Sequence, residues 1–107
     1  MIVEKQITIR NKQGLHARPA AIFVQVANKY ESEITVKKDT EEINGKSIMG
    51  ILMLAAEEGS QVILKAAGSD AEEAVNELEQ ILTKQTEEIV RPNINIGTKT
   101  KKKKKNI

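Results

Sequence analysis

The chain has 107 residues, of which 39% are hydrophobic and 30% are charged, as in a single soluble globular domain. It contains no cysteine, one Phe, one Tyr and no Trp, which excludes disulfides, thiolate chemistry and Cys-based zinc sites. The same scarcity of aromatic side chains argues against a protein that binds single-stranded nucleic acid by stacking its bases on aromatic rings. The start, MIVEKQITIR, lacks the pattern of a signal peptide, and no window has the roughly 18 apolar residues of a membrane span. We therefore expect a cytoplasmic protein without membrane insertion.

The charge is distributed unevenly along the chain. Residues 1–85 contain 10 Lys and Arg against 13 Asp and Glu, whereas residues 86–107 contain 7 against 2. Apolar periodicity also stops at Gln85, so we predict a domain over 1–85 and a basic, disordered tail over 86–107. An open alternative is that Lys101–Lys105 binds nucleic acid. It predicts steeply salt-dependent binding that is lost on truncation after residue 90, and we favour a solvated tail.

The first half of the chain predicts three strands and one helix. Apolar and polar residues alternate from Val3 to Ile9, which predicts a strand with one exception at Lys5. Residues 19–30 have the spacing of an amphipathic helix. A second strand follows at about 33–38, and a short third strand contains Ile43.

The second half predicts two more helices and a fourth strand. Ser47 is placed to cap a helix over 48–58 that ends at a glycine. A strand over 62–66 precedes DAEE (70–73), whose spacing predicts a capping box that begins a helix over 71–82. The order is β-α-β-β-α-β-α. It predicts an α+β fold in which helices cover one side of a mostly antiparallel sheet.

The only histidine lies in QGLHARP (13–19), where a loop becomes the first helix. Pro19 suits the first turn of a helix, because its missing N–H removes no intrahelical hydrogen bond. The N–H groups of Ala17 and Arg18 have no partner within a helix that begins here. With the positive end of the helix dipole, they form an anion site beside His16.

These residues together describe a nucleophilic histidine with a phosphate site around it. Arg18 adds a planar charged group that matches phosphate oxygens, and the positive surroundings favour a neutral imidazole that can attack. An imidazole satisfied at the surface or in the core is the alternative interpretation. The chain offers no second histidine, no cysteine and no serine–base arrangement to hydrolyse a phosphoryl group. We therefore predict a carrier rather than an enzyme, with no metal and no cofactor.

Two motifs carry a family resemblance over about residues 1–85. GLHARPA (14–20) resembles the active-site signature of HPr, the histidine-containing phosphocarrier of the phosphoenolpyruvate-dependent sugar phosphotransferase system. KSIMGILMLAAEEG (46–59) resembles the regulatory-serine region of Gram-positive-type members. The resemblance implies an open-faced β-sandwich, in which three helices cover one face of a four-stranded antiparallel sheet.

The resemblance also implies roles for individual residues. His16 would accept a phosphoryl group from enzyme I and pass it to sugar-specific IIA proteins, while Arg18 helps to stabilise the phosphate. The Ala17 N–H is added to the phosphate site by its position in the first turn of the helix. Ser47, which is also a plain helix cap, would be the target of HPr kinase/phosphorylase, and the product would be a corepressor for a catabolite-control transcription factor. The alternative is a regulatory binding module of the same fold that acts through Ser47. His16 argues against it, since a purely regulatory relative would not need a histidine.

Five apolar residues near these motifs have two interpretations: Leu15, Ile48, Met49, Leu52 and Met53. They are either core positions or part of the surface with which the family docks its partners, for which flexible methionines are suited. We expect two or three of them to be core positions and Leu15, Ile48 and Met49 to be exposed. The residues predicted to bind partners are Leu15, Ile48, Met49 and Leu52.

Overall fold

The computed structural model describes residues 1–84 and contains the predicted order of elements, βαββαβα. The strands are β1 (Ile2–Thr8), β2 (Glu33–Lys38), β3 (Glu41–Asn44) and β4 (Gln61–Ala67). The helices are α1 (Ala17–Ala27), α2 (Ile48–Leu54) and α3 (Ala71–Thr83). The predicted tail over 86–107 lies outside the described residues.

The four strands form one antiparallel sheet in the order β1-β4-β2-β3. Alternate residues of β2 and β4 are buried, and Val36 lies directly opposite Leu64 across these strands. The helices pack on this side of the sheet: α3 contacts β1 and β4, α1 contacts α3, and α2 contacts α1 and β3. The predicted fold class is therefore confirmed as an α+β open-faced β-sandwich.

The core between sheet and helices is almost entirely aliphatic. Phe23 on α1 is its one aromatic member, and it is fully buried. The α3 residues of the core share one helix face: Ala71, Ala74, Val75, Leu78, Ile81 and Leu82. Within residues 1–84, no helix combines the length and the hydropathy needed to cross a membrane.

Lys5, the exception in the alternation of β1, lies on the helix-covered side of the sheet. Its Nζ donates to Oε1 of Glu79 on α3 at 2.8 Å, and the Lys5 side chain remains 48% exposed. The lysine is thus tolerated because it lies at the rim of the core and reaches solvent. An exposed ion pair of this kind contributes at most about 1 kcal/mol, so it adds little to the ladder with β4 and the buried Ile7 side chain that hold β1.

Two helices have bounds that differ from the sequence prediction. The first begins at Ala17 rather than at Pro19, which makes His16 the N-cap residue and leaves Pro19 in the first turn. The second ends at Leu54 rather than just before Gly59, because Ala55 adopts a left-handed conformation with φ 53°. The Ala55 N–H then bonds back to the carbonyl of Leu52, which closes the helix after two turns.

The predicted capping box at the start of α3 is wrong. Asp70 occupies the N-cap position, but its carboxylate makes no cap hydrogen bond within α3. It accepts instead from the Ser32 hydroxyl and from the N–H groups of Glu31 and Ser32, the latter two at 3.0 Å. These bonds, that from the Ser32 hydroxyl foremost, lower the pKa of Asp70. Asp70 thus satisfies the buried Ser32 and ties α3 to the segment before β2.

Replacing Asp70 tests this contact. Because its pKa is lowered on folding, the carboxylate stabilises the fold above the ordinary pKa of 3.8, and this contribution is lost as the pH falls through the pKa of the folded state. We expect Asp70→Asn to melt at a lower temperature than wild type at pH 7, and the two melting temperatures to converge below pH 3.8. Glu72→Gln, in the same helical turn, is the control and should change the melting temperature much less. Equal melting of Asp70→Asn and wild type at pH 7 would contradict the assignment.

Candidate phosphorylation site

His16 is the N-cap residue of α1. Its backbone is extended, with φ −86° and ψ −167°, and its carbonyl accepts the Ala20 N–H at 3.0 Å. The imidazole makes no capping hydrogen bond, and the residue is partly exposed. The ring is therefore accessible to a partner and is not used to hold the helix together.

The first turn of α1 presents two backbone N–H groups beside His16. Pro19 has no N–H, and the Ala20 N–H is bonded to the His16 carbonyl. Across the part of the chain that the structure describes, the N–H groups of Ala17 and Arg18 have no backbone or side-chain acceptor, and both residues are exposed. Together with the dipole of this 11-residue helix, they give the space beside the ring a positive potential.

The Arg18 side chain is available for a ligand. The residue is exposed, and neither of the two ion pairs found within residues 1–84 involves it. A guanidinium offers several donors in a plane, an arrangement that suits phosphate oxygens. No cluster of three or more acidic or His side chains among the described residues is placed to hold a metal ion.

The loop that carries His16 is seated on the segment after α2. Gln13 and Gly14 both have positive φ angles, 67° and 75°, which turn the chain so that the Leu15 N–H donates to the Ala56 carbonyl at 2.9 Å. A Cβ atom on Gly14 would overlap the Ala56 carbonyl oxygen and lie 2.8 Å from the Cα of Glu57. Glycine is thus required here both for its conformation and for the space it leaves.

The other end of the loop is attached to the C-terminal end of α3 through Asn11, which is fully buried. Its side-chain Nδ2 donates to the backbone carbonyls of Ile81 and Lys84 at 2.8 and 2.7 Å, and its backbone carbonyl accepts the Gly14 N–H at 2.9 Å. Oδ1 has no partner within the described residues. Sequence reasoning missed this residue, because an asparagine in the polar run NKQG gives no signal of burial.

Ser47 is the N-cap residue of α2, as predicted. Its Oγ accepts the Gly50 N–H at 3.1 Å, and its carbonyl accepts the Ile51 N–H at 3.0 Å. The residue is partly exposed. The hydroxyl thus has a structural role as a cap, and solvent can still reach the residue.

One side of α2 exposes apolar side chains to solvent. The α2 apolar face is the name we give to four of these residues: Ile48, Met49, Leu52 and Met53. Their exposed fractions are 38%, 62%, 37% and 65%, respectively. The opposite side of the helix, Ile51 and Leu54, is buried in the core.

The prediction that Leu15 is exposed is wrong. The residue is only 4% exposed, since the bond from its N–H to the Ala56 carbonyl holds the loop against the protein and its side chain joins the core. The prediction that two or three of the five residues are core positions is also wrong, because Leu15 is the only one of the five that is buried. Ile48, Met49 and Leu52 remain available to a partner, and Met53 joins them.

Replacing Gly14 tests how closely the loop is seated. An L residue at φ 75° costs about 1–2 kcal/mol, and the overlap with backbone atoms adds to this cost. Gly59 is the matched control, since its φ is 92° and a Cβ there would meet nothing within 4 Å. We expect Gly14→Ala to lower the free energy of unfolding by about 1–3 kcal/mol more than Gly59→Ala, as measured by urea denaturation. Equal losses would show that the loop can move away from Ala56.

Comparisons with known proteins show the family to which the chain belongs. Residues 3–84 match the family model described as the PTS HPr component phosphorylation site. The chain is 46% identical over 84 residues to the HPr-like protein Crh of Halalkalibacterium halodurans, which covers 78% of this chain and all of the relative. The crystal structure of the phosphocarrier protein HPr from Bacillus anthracis is 46% identical, with a TM-score of 0.74 and coverage of 76% of this chain and 96% of that one. Crh of Bacillus subtilis, called the catabolite repression containing protein, is 42% identical, with a TM-score of 0.64 and coverage of 78% and 95%. The chain therefore belongs to the HPr family of the phosphotransferase system.

Proposed function

We propose that this chain is a phosphocarrier that accepts a phosphoryl group on His16 from phosphoenolpyruvate-charged enzyme I and passes it to sugar-specific IIA proteins. The observation that carries the proposal is the partly exposed imidazole of His16 beside the free N–H groups of Ala17 and Arg18. The carrier domain is residues 1–85, and it acts in the cytoplasm without metal or cofactor.

Transfer begins when a neutral ring nitrogen of His16 attacks the phosphorus atom held by the donor. A P–N bond forms as the bond between phosphorus and the donor breaks, and the ring then carries a doubly negative group. The Ala17 and Arg18 N–H groups and the Arg18 guanidinium oppose this charge. A helix N-terminus at an exposed position contributes only about 0.3–1 kcal/mol to an anion. Such weak holding suits a carrier, which has to release the group to the next protein.

The α2 apolar face is the proposed contact surface for enzyme I and the IIA proteins. It lies on the helix that packs against α1, and the His16 loop is bonded to the chain just beyond it. Four partly exposed apolar side chains on a helix of seven residues are unfavourable in water, and a partner that covers them removes this cost. Leu15 is not part of this surface.

Ser47 is the proposed regulatory position, phosphorylated by HPr kinase/phosphorylase. The phosphate would add negative charge immediately before Ile48 and Met49, at the edge of the α2 apolar face. Enzyme I would then dock less well, and a catabolite-control transcription factor with a basic surface would dock better. Both effects follow from one change of charge.

The second candidate is a regulatory binding module that acts mainly through Ser47. It is favoured by the relatives named Crh, one of which is called the catabolite repression containing protein. The retained imidazole at residue 16 favours the carrier, because a module without phosphoryl transfer has no use for it.

Labelling tests the carrier directly. We expect the full chain, incubated with enzyme I, Mg²⁺ and labelled phosphoenolpyruvate, to take up label that is labile in acid and stable in alkali, as a phosphoramidate is. His16→Ala should take up none. Label on that variant, or acid-stable label on the wild type, would contradict the proposal. A wild-type chain that takes up no label would favour the regulatory module.

Substitution of Ser47 separates its two roles. Ser47→Asp keeps an acceptor for the Gly50 N–H and adds charge at the docking surface. Enzyme I should therefore phosphorylate its His16 roughly tenfold more slowly, and its melting temperature should be almost unchanged. Ser47→Ala loses the cap, which lowers the free energy of unfolding by about 1 kcal/mol, but its His16 should be phosphorylated at the wild-type rate. Rates and melting temperatures of the three proteins are the measurements. A large drop in the melting temperature of Ser47→Asp, or a wild-type rate, would contradict this account.

A further inference from the structure

All of the sulfur in this chain lies at its surface. The chain has no cysteine and three methionines, and the methionines are 72%, 62% and 65% exposed in the order Met1, Met49 and Met53. A thioether usually lies in a core, where it fills irregular space. Here every thioether is open to oxidants dissolved in water, and susceptibility to oxidation follows exposure.

Two of these methionines are one helical turn apart. Met49 and Met53 occupy positions i and i+4 of α2 and belong to its apolar face, while Ile51 and Leu54 hold the helix in the core. Oxygen added to both sulfurs would therefore change the docking surface without disturbing the residues that maintain the fold.

We propose that Met49 and Met53 form a redox-sensitive modification site that controls docking of enzyme I. A hydroperoxide such as hydrogen peroxide is the oxidant: its O–O bond breaks, one oxygen binds the sulfur as a sulfoxide, and the other leaves as water. Sulfur loses two electrons and the peroxide gains them. The inference rests on the proposed function, since it takes the α2 apolar face to be the surface that enzyme I covers.

The effect follows from the change in polarity. A sulfoxide is polar, and an apolar interface offers no hydrogen bond to replace the water that its oxygen loses on docking. Two sulfoxides on adjacent turns would place two such oxygens in the contact. Phosphorylation of His16 would slow, although His16 itself is unchanged. Methionine sulfoxide reductases with a dithiol as reductant would restore the rate: the dithiol becomes a disulfide, the oxygen leaves as water, and the thioether is regained.

Met1 provides an internal control. It precedes β1, and its carbonyl accepts the Gly68 N–H at 2.9 Å, whereas the His16 loop follows the other end of the same strand. The seven residues of β1 separate the two ends by about 20 Å. Oxidation of Met1 should therefore leave phosphoryl transfer unchanged.

The experiment compares wild type with Met49→Leu/Met53→Leu, which keeps the surface apolar and removes both sulfurs. Each full chain is treated with hydrogen peroxide, the sulfoxides are assigned by peptide mass spectrometry, and the kcat/KM of its phosphorylation by enzyme I is measured. We expect oxidised wild type to lose about tenfold in kcat/KM, mainly through KM, and to recover it with methionine sulfoxide reductases A and B supplied with dithiothreitol as the reductant. Each protein is compared with its own kcat/KM before treatment, and the double variant should show no further change on oxidation, although its Met1 is oxidised.

Each outcome bears on the inference. Equal rates before and after oxidation at Met49 and Met53 would overturn it, as would equal slowing of the oxidised double variant. A large fall in the melting temperature of oxidised wild type would also overturn it, because the loss would then come from unfolding. A wild-type chain that accepts no phosphoryl group before oxidation would overturn the proposed function, and this inference with it.

Discussion

The contact between the His16 loop and the segment after α2 is the constraint on which the site depends. The Leu15 N–H donates to the Ala56 carbonyl, and Gly14 lies so close to this segment that no side chain fits between them. α1 begins immediately after His16, and within residues 1–84 the first two N–H groups of the helix have no acceptor in the protein. The same contact joins the His16 loop to the segment that follows α2, the helix with the exposed apolar face. The proposed phosphate site and the proposed docking surface are thus joined by this backbone contact.

The short helix α2 has separate roles on its two sides. Ile51 and Leu54 anchor it in the core, while the α2 apolar face is exposed to water and Ser47 caps its first turn. A partner that covers this face is held by apolar contact, which needs no chemistry at the ring. The phosphoryl group can then be bound weakly and exchanged, since affinity for the partner comes from elsewhere. On the proposed function, a charge at Ser47 or oxygen on the methionines of this helix changes docking and leaves His16 itself unaltered.

The order of the elements and the placement of helices on one side of the sheet were predictable, because buried faces impose a period of two on strands and about 3.6 on helices. His16 at the start of α1 was predictable from Gly14 and Pro19 in the same short motif. Contacts between segments that are distant in the sequence were not predictable from these local patterns. Asn11 is buried where it bonds to the end of α3, and Leu15 is buried in a loop whose backbone bonds to Ala56, so both depend on segments distant in sequence. Asp70 had the spacing of a capping box, yet its carboxylate bonds to Ser32, whose burial no local pattern shows.

The central claim is that the free N–H groups of Ala17 and Arg18 hold the phosphoryl group on His16, and amide NMR tests it most directly. Spectra of the ¹⁵N-labelled chain are recorded before and after phosphorylation by enzyme I. Hydrogen bonds to phosphate oxygens should move the amide proton signals of Ala17 and Arg18 strongly downfield. The Ala20 amide, already bonded to the His16 carbonyl, should move little. A phosphorylated chain in which the Ala17 and Arg18 signals shift no more than that of Ala20 would contradict the account.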